Sequence, residues 1–209
     1  MNIIGNNCGG ATYYNLHKFP YNNPFMWCCT FASDMINLIA NYDQLDWTKY
    51  KLIQLDYVTA KHNGFYEFNP TQCGIRIGDT VNTYFVHYLY DSNAVTPYSK
   101  GPDKFYVKNF QYTYEKYIER LNRMLLLQEP PMFMVIAYHR HGWTPSLISN
   151  LIEIGTKYKV VVITDVPTVS KNQNIKVIYN EKLNTIPELA PVVQVRRYFS
   201  DLNEFYGVH

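Results

Sequence analysis

Apolar residues occur along the chain in short runs bounded by turn residues, and runs of this length predict β-strands. The two most apolar runs, 132–137 and 157–164, are typical of strands that a sheet buries on both faces. Residues 25–31 are also almost wholly apolar and suit a buried strand or a segment that lines a cavity. Further strands are predicted at residues 2–4, 51–57, 81–88 and 175–179.

Apolar positions at helical spacing predict helices between these strands. The Thr144-Pro145 pair predicts the start of a helix over 146–154, because threonine caps a helix and proline suits its first turn. Ser33-Asp34 can cap another helix in the same way. The clearest helix is 112–127, whose apolar face would carry Tyr114, Tyr117, Ile118, Leu121, Met124 and Leu125.

The succession of strand, helix and strand predicts an α/β fold, a three-layer α/β/α arrangement with a mostly parallel central sheet. Short helices at 11–17 and 202–206 fit this scheme. Residues 62–78 contain several turn residues and are expected to form an insertion or a hairpin. A chain of 209 residues predicts a single domain over 1–209, or one module of a longer polypeptide.

Composition adds an aromatic surplus, with 20 tyrosines and 11 phenylalanines. AT-rich codon usage explains this surplus and allows a large DNA virus as the source. A surface of aromatic platforms that bind sugars is the less favoured interpretation, and the two are compatible.

Charge and cysteine usage exclude several classes of protein. The net charge of +2, without a basic stripe, gives no electrostatic support for a nucleic-acid partner. No run approaches the roughly 18 apolar residues of a membrane span, and the N-terminus does not resemble a signal peptide. The cysteines, which lack a CxxC pair, are expected to be reduced thiols in the cytoplasm, or in the host cytoplasm of a virus: Cys8, Cys28, Cys29 and Cys73.

The segment Asn6-Asn7-Cys8-Gly9-Gly10 follows the first strand and is the first candidate ligand-binding loop. Glycines allow close backbone approach, and amides at a helix start can face an anion. A thiol at a helix N-terminus also gains thiolate character, so Cys8 is a candidate nucleophile. A tight turn with a packed cysteine is the alternative.

Three charged or titratable groups follow along the chain. His87 ends an aromatic strand and is a candidate general base, although such histidines often have only packing roles. Arg120 and Arg123 share a face of the long helix and suit a phosphate or carboxylate. A solvated basic face with local ion pairs is the alternative for the two arginines.

The loop 138–144 lies between an apolar strand and a capped helix, which is again a position for ligands. Arg140, with the helix-start amides at Thr144, could grip an anion, and Trp143 could stack on a sugar or base. Asp165 follows the next strand and is a candidate general base or a cap. No DxD motif is present, so no metal site is predicted, and a polar connector without a binding role is the alternative for the loop.

These motifs, in this order, resemble the exopolysaccharide biosynthesis protein family, which is built around a domain of unknown function. The family pattern SNNCWGG is matched at residues 5–10 without its tryptophan, and a tyrosine–proline turn follows at 21–24. An FLHY-like pattern is matched at 85–88, spaced arginines at 119–123, and a DRDGCT-like loop at 139–144. The resemblance covers about residues 2–165, and both acids that flank the family's loop arginine are histidines here.

The resemblance implies a three-layer α/β domain that works in surface-polysaccharide assembly. Together with the residues above it predicts a metal-independent glycosyltransferase-type enzyme that needs no cofactor. Its partners would be a nucleotide-sugar donor, held by the glycine loop and the arginines, and a glycan acceptor, deprotonated by His87 or Asp165. Two alternatives stay open, a thiol-dependent hydrolase or acyltransferase that uses Cys8 and His87, and a glycan-binding module without catalysis.

Overall fold

The computed structural model describes residues 1–26, 28–47, 50–54, 73–77, 81–85, 102–154, 157–185 and 191–208. These residues form eight strands and six α-helices. The strands are β1 (Ile3–Gly5), β2 (Cys28–Thr30), β3 (Tyr50–Gln54), β4 (Cys73–Ile77), β5 (Val81–Phe85), β6 (Met132–Ile136), β7 (Lys159–Thr164) and β8 (Ile175–Tyr179). The helices are α1 (Cys8–His17), α2 (Ala32–Asn41), α3 (Pro102–Leu127), α4 (Pro145–Glu153), α5 (Pro191–Arg197) and α6 (Phe199–Tyr206).

Four strands form a parallel sheet in the order β1-β6-β7-β8. Its centre is the pair β6 and β7, the two most apolar runs of the sequence, and Val135 of β6 lies beside Val162 of β7. Strands buried on both faces need apolar side chains at every position, because alternate residues point to opposite faces. The predicted α/β class with a parallel central sheet is confirmed.

Helices cover both faces of this sheet, which gives the three predicted layers. Ile4, Val135 and Val162 point to the face covered by α2, α3 and α4. Ile3 and Met134, one residue out of phase with that set, point to the opposite face, which α1, α5 and α6 cover. The alternation of side chains along each strand therefore sends the sheet's apolar residues into two separate cores.

A second, antiparallel sheet was not predicted. Its strand order is β2-β5-β4-β3, and the whole sheet is inserted in the chain between α1 and α3. The main-chain N–H of Thr30 in β2 donates to the carbonyl oxygen of Asn6 at 2.8 Å, which joins this sheet to the end of β1. Strands at 51–57 and 81–88 were expected, but their pairing was not, because pairing depends on contacts between segments far apart in sequence.

Several element boundaries differ from the predictions. The long helix begins at Pro102 rather than at residue 112. Within 62–78, residues Cys73–Ile77 form a strand that pairs with β5, as a hairpin would. Helix α5 was not predicted at all, because its seven residues are too few to show a helical period.

Among the described helices, none combines the length and the apolar character needed to cross a membrane.

Candidate functional site

The carboxyl ends of the four parallel strands lie along one edge of the sheet, here called the carboxyl edge. Parallel α/β sheets bind their ligands at this edge, because the loops and helix starts that follow the strands meet there. The carboxyl edge brings together residues 6–10 after β1, residues 137–144 after β6, Asp165 after β7 and residues 180–185 after β8. Most of the candidate site residues from the sequence fall in these four segments.

Asn6 extends the pairing of β1 with β6 by means of its side chain. Its Nδ2 donates to the carbonyl oxygen of Ile136 at 3.2 Å, and the main-chain N–H of Ile136 donates to its Oδ1 at 2.9 Å. The main chain of Asn6 bonds to Met134 and to Thr30 as well. Asn6 is fully buried, so its polar atoms join three strands instead of facing a ligand.

Asn7 caps the first helix. Its Oδ1 accepts the main-chain N–H of Gly9 at 3.0 Å, and its Nδ2 donates to the carbonyl oxygen of Ile136 at 3.3 Å. This cap occupies one of the helix-start amides that the sequence analysis had assigned to an anion. Asn7 is therefore held by the protein's own backbone, like Asn6.

The glycines of the loop are required by packing between α1 and β1. A Cβ atom on Gly5 would lie 2.7 Å from the main-chain nitrogen of Gly10, and one on Gly10 would lie 3.0 Å from that of Gly5. A Cβ atom on Gly9 would lie 2.8 Å from Cδ1 of Ile136. The close approach predicted for Gly9 and Gly10 is real, but the partner is the neighbouring strand, and both glycines are buried.

Cys8 is the first residue of α1, as predicted, but it does not have the predicted thiolate character. Burial raises the pKa of the Cys8 thiol to about 12, and this exceeds the opposing effects of its own main-chain N–H and of Arg140. Burial likewise raises the pKa values of Cys28 and Cys29. A protonated thiol is a poor nucleophile, so the burial of Cys8 disfavours the thiol-dependent alternative.

His139 and Asp165 form a pair that the sequence analysis did not recognise. Nε2 of His139 lies 3.5 Å from Oδ2 of Asp165, with the two side chains 54% and 16% exposed. The other carboxylate oxygen, Oδ1, is buried and has no hydrogen-bond partner among the described residues. The imidazole is thus exposed and lies within ion-pair distance of the carboxylate, a combination from which a general base can be built.

Arg140 is an exposed cation at the carboxyl edge, where Lys182 is exposed as well. Its Cζ atom lies 4.9 Å from the ring centroid of Tyr138, and its charge lowers the pKa values of Cys8 and of Tyr138 against the larger effect of burial. His139–His141 form a single turn of 3-10 helix, in which successive side chains point about 120° apart. His139 and Arg140 therefore leave the same turn in different directions.

The third side chain of this turn, His141, points inward. Its ring packs edge-on against those of Tyr138 and Phe31, with centroids 5.5 and 6.5 Å away. Burial, followed by the charge of Arg140, lowers the pKa of His141 to about 4, so the ring is neutral at pH 7. His139 and His141 therefore leave the same turn in different directions.

Trp143 and Thr144 have structural positions. Trp143 is 1% exposed and belongs to the core under α4, so neither face of its indole ring is open to a sugar, and the predicted stacking role has no surface to act through. Thr144 caps α4, because its Oγ1 accepts the main-chain N–H of Leu147 at 3.3 Å. Thr144 is exposed, but its hydroxyl also forms a hydrogen bond with Oγ of Ser146 at 3.0 Å, so its polar contacts are within the protein.

Arg123 lies at the opposite edge of the sheet. It pairs with Glu119, and its Nη1 donates to the carbonyl oxygen of Tyr21 at 3.0 Å. Tyr21 is next to Asn22, whose side chain bonds to Met1 just before β1. The strands are five to six residues long at the centre of the sheet, so the two edges are roughly 16 Å apart. Arg123 and Arg140 therefore cannot grip the same diphosphate.

Arg120 is one helical turn from Arg123 and is 8% exposed. Its Cζ lies 5.0 Å from the ring centroid of Tyr21, and burial lowers its pKa to about 10, which leaves it charged at pH 7. Arg120 therefore packs against Tyr21, whose carbonyl oxygen also accepts the hydrogen bond from Arg123. Of the three arginines in the predicted donor site, only Arg140 is placed at the carboxyl edge.

His87 lies outside the described residues, so its role as a general base stays a prediction. Among the residues that the structure does describe, no three histidine, cysteine, aspartate or glutamate side chains are grouped so that they could hold a metal ion.

Among the described residues, the exposed charged or titratable groups at the carboxyl edge include His139, Arg140 and Lys182. An imidazole beside a carboxylate and a guanidinium one residue away could move a proton and bind an anion. No protein-family model matches the chain, and no curated protein is similar to it.

Proposed function

We propose that the chain is a glycosyltransferase-type enzyme that moves a sugar from a nucleotide-sugar donor to a glycan acceptor, with its active site at the carboxyl edge. The observation that carries the proposal is the His139–Asp165 pair one residue from the exposed guanidinium of Arg140. Proton removal and stabilisation of a departing phosphate are the two tasks of such a transfer, and these groups match them.

His139 would act on the acceptor. Its exposed imidazole takes the proton from an acceptor hydroxyl, and Asp165 stabilises the resulting imidazolium through Oδ2. The acceptor oxygen then forms a bond to the anomeric carbon of the donor sugar. The sequence suggested His87 or Asp165 as the base. We prefer His139 to Asp165, because Oδ1 of Asp165 is buried while the imidazole is exposed.

Arg140 would act on the donor. As the new bond forms, the bond between the anomeric carbon and the diphosphate oxygen breaks, and its electron pair leaves with the nucleoside diphosphate. A guanidinium binds phosphate oxygens with two parallel hydrogen bonds and keeps its charge at any physiological pH. In this scheme Arg140 supplies the cationic charge at the leaving group, and the chain's lack of a DxD motif agrees with that assignment.

The biological setting of the proposal comes from the sequence. The resemblance of residues 5–10, 85–88 and 139–144 to the exopolysaccharide biosynthesis family supports a role in surface-glycan assembly. The cytoplasm is the expected location, and Cys8, Cys28 and Cys29 are free thiols, which agrees with a reducing compartment. A host cytoplasm is the equivalent location if the source is a virus.

Transfer assays on matched variants test the proposal. His139→Gln is expected to reduce transfer from a panel of nucleotide sugars by about 10²- to 10⁴-fold, the usual contribution of a general base. Asp165→Asn is expected to reduce it as well, by removing the charge that stabilises the imidazolium.

The controls carry the same substitutions away from the carboxyl edge. His17 bonds to Asn203 at 2.9 Å near the end of α1, and Asp201 pairs with Lys176 at 3.2 Å on the surface. His17→Gln and Asp201→Asn are expected to retain wild-type transfer. Full activity in His139→Gln would exclude His139 as the base and favour His87, whereas no transfer by the wild-type protein would favour a glycan-binding module.

A further inference from the structure

The segment after β8 contains an asparagine whose side chain bonds to the first residue of the His139–His141 turn. Oδ1 of Asn184 accepts the main-chain N–H of His139 at 2.8 Å, and its Nδ2 donates to the carbonyl oxygen of Ala137 at 3.2 Å. The side-chain amide thus bonds to the main chain on both sides of Tyr138. These two bonds fix the direction in which the chain leaves β6 and enters the His139–His141 turn.

The turn that carries Asn184 is itself rigidly held. Asn180 accepts the main-chain N–H groups of Lys182, at 3.1 Å through Oδ1, and of Leu183, at 3.0 Å through its carbonyl oxygen. Its Nδ2 donates to Oε1 of Gln194 at 2.9 Å, and Gln194 is fully buried. Leu183, next to Asn184, is 1% exposed and anchors the turn in the core.

We infer that Asn184 is a positioning residue, which holds the main chain of His139 so that the imidazole stays opposite Asp165. The effect of Asn184 on catalysis rests on the proposed function, whereas its contacts with the main chain do not depend on that function. A chain of hydrogen bonds runs from buried Gln194 through Asn180 to the turn and from Asn184 to His139, so the base is fixed by the ends of β6, β7 and β8 together. Catalytic geometry depends on such support, because displacements of about 1 Å can cost two orders of magnitude in rate.

The test compares Asn184→Ala with Asn41→Ala. Asn41 makes a comparable side-chain bond, to the carbonyl oxygen of Asn37 at 3.1 Å, but it lies at the exposed far end of α2. The first measurement is the chemical shift of the His139 ring protons in a two-dimensional NMR spectrum. This signal is assigned by its disappearance from the spectrum of His139→Gln. The second is kcat and KM for transfer, and a thermal melt confirms that each variant is folded.

Asn184→Ala is expected to shift the His139 signal and to lower kcat by about 10- to 100-fold with little change in KM, since it misplaces the base rather than the donor. Asn41→Ala is expected to change neither. If Asn184→Ala does not fold, Asn184→Ser, which keeps a hydroxyl at the position, carries the same expectation for the His139 signal. An unmoved His139 signal in the folded variant would overturn the inference. A shifted signal in a protein without any transfer activity would support the positioning role and contradict the proposed function.

Discussion

The polar side chains at the carboxyl edge divide into those that bond to the protein and those that remain open to a ligand. Asn6 and Asn7 belong to the first group, since both bond to the main chain of Ile136. His139 and Arg140 belong to the second group and are exposed. The sequence identified both segments as candidate ligand sites, because asparagine, glycine, arginine and histidine after a strand have the same appearance in either role.

The pairing of His139 with Asp165 was not predicted from the sequence, for a definable reason. A histidine and an aspartate 26 positions apart are paired only because β6 and β7 are neighbours in the sheet, with Ile136 beside Ile163. The signal that could have found the pair is the presence of a titratable residue just after each of two consecutive parallel strands. The burial of Cys8 and Trp143 could not be predicted from the sequence either, because helix and strand patterns do not show which residues pack against a loop.

The buried imidazole of His141 makes a prediction about pH. Its folded pKa of about 4 is below the ordinary value of 6.5, so the unfolded state binds the extra proton first as the pH falls. The free energy of unfolding should therefore decrease between pH 6.5 and pH 4, by about 1 kcal/mol per pH unit from this group. Above pH 6.5 His141 should contribute no pH dependence.

His141→Phe removes this titration while keeping an aromatic ring between Phe31 and Tyr138. Urea unfolding at pH 7 and pH 5 should show the variant gaining about 1 to 2 kcal/mol relative to wild type at the lower pH. Above pH 6.5 the free energy of unfolding should change with pH by the same amount in the variant and in the wild type. Parallel pH profiles across the acid range would contradict the burial of a neutral His141.

At the scale of elements, the close crossing of α1 over β1 determines where the carboxyl edge begins. Gly5 and Gly10 approach so closely that the backbone of one occupies the space of a Cβ atom on the other. The glycines at positions 5 and 10 thus allow α1 to pack closely against β1, so that α1 begins three residues after β1 ends. The sequence predicted this strand, turn and helix correctly, but the reason for the glycines is visible only in the folded unit.

Gly5→Ala is expected to destabilise the protein strongly. The new Cβ atom would lie 2.7 Å from the main-chain nitrogen of Gly10, and backbone cannot move aside as a side chain can. Overpacking of this kind costs about 1 to 3 kcal/mol and sometimes more. The free energy of unfolding in urea measures the effect.

Gly207→Ala is the matched comparison. Gly207 has a φ of 75°, and a Cβ atom there would meet no atom within 4 Å. Its substitution should cost about 1 kcal/mol, the penalty for a left-handed backbone in a residue other than glycine. Equal losses in the two variants would show that backbone conformation, and not the contact between α1 and β1, sets the requirement for Gly5.

At the scale of the whole molecule, the carboxyl edge unites segments that are more than 120 residues apart. Residues 6–10 follow β1, and 137–144 follow β6, because the antiparallel sheet and α3 are inserted between these two adjacent strands. The layers and the central strands were predictable, since their apolar periods are local. Strand order and the second sheet were not, because they depend on pairing between distant segments.

This arrangement also separates the arginines. The sequence predicted Arg120, Arg123 and Arg140 in one donor site. Helix α3 ends at Leu127, shortly before the start of β6, so Arg123 lies at the edge of the sheet opposite the carboxyl edge. A helix pattern shows which residues share a face but not which end of the sheet they reach. Of these three arginines, we therefore propose only Arg140 as a contact of the diphosphate.

Titration calorimetry with uridine and guanosine diphosphates measures how much Arg140 contributes to diphosphate binding. Arg140→Ala should weaken binding of the preferred nucleotide by about 10- to 100-fold, the usual value of a charged hydrogen bond to phosphate. Arg123→Ala, which removes the same side chain from the opposite edge, should leave the dissociation constant within about twofold, as expected for a surface ion pair outside the site. Binding that is lost in Arg123→Ala but retained in Arg140→Ala, or no binding of either nucleotide to the wild-type protein, would contradict the account.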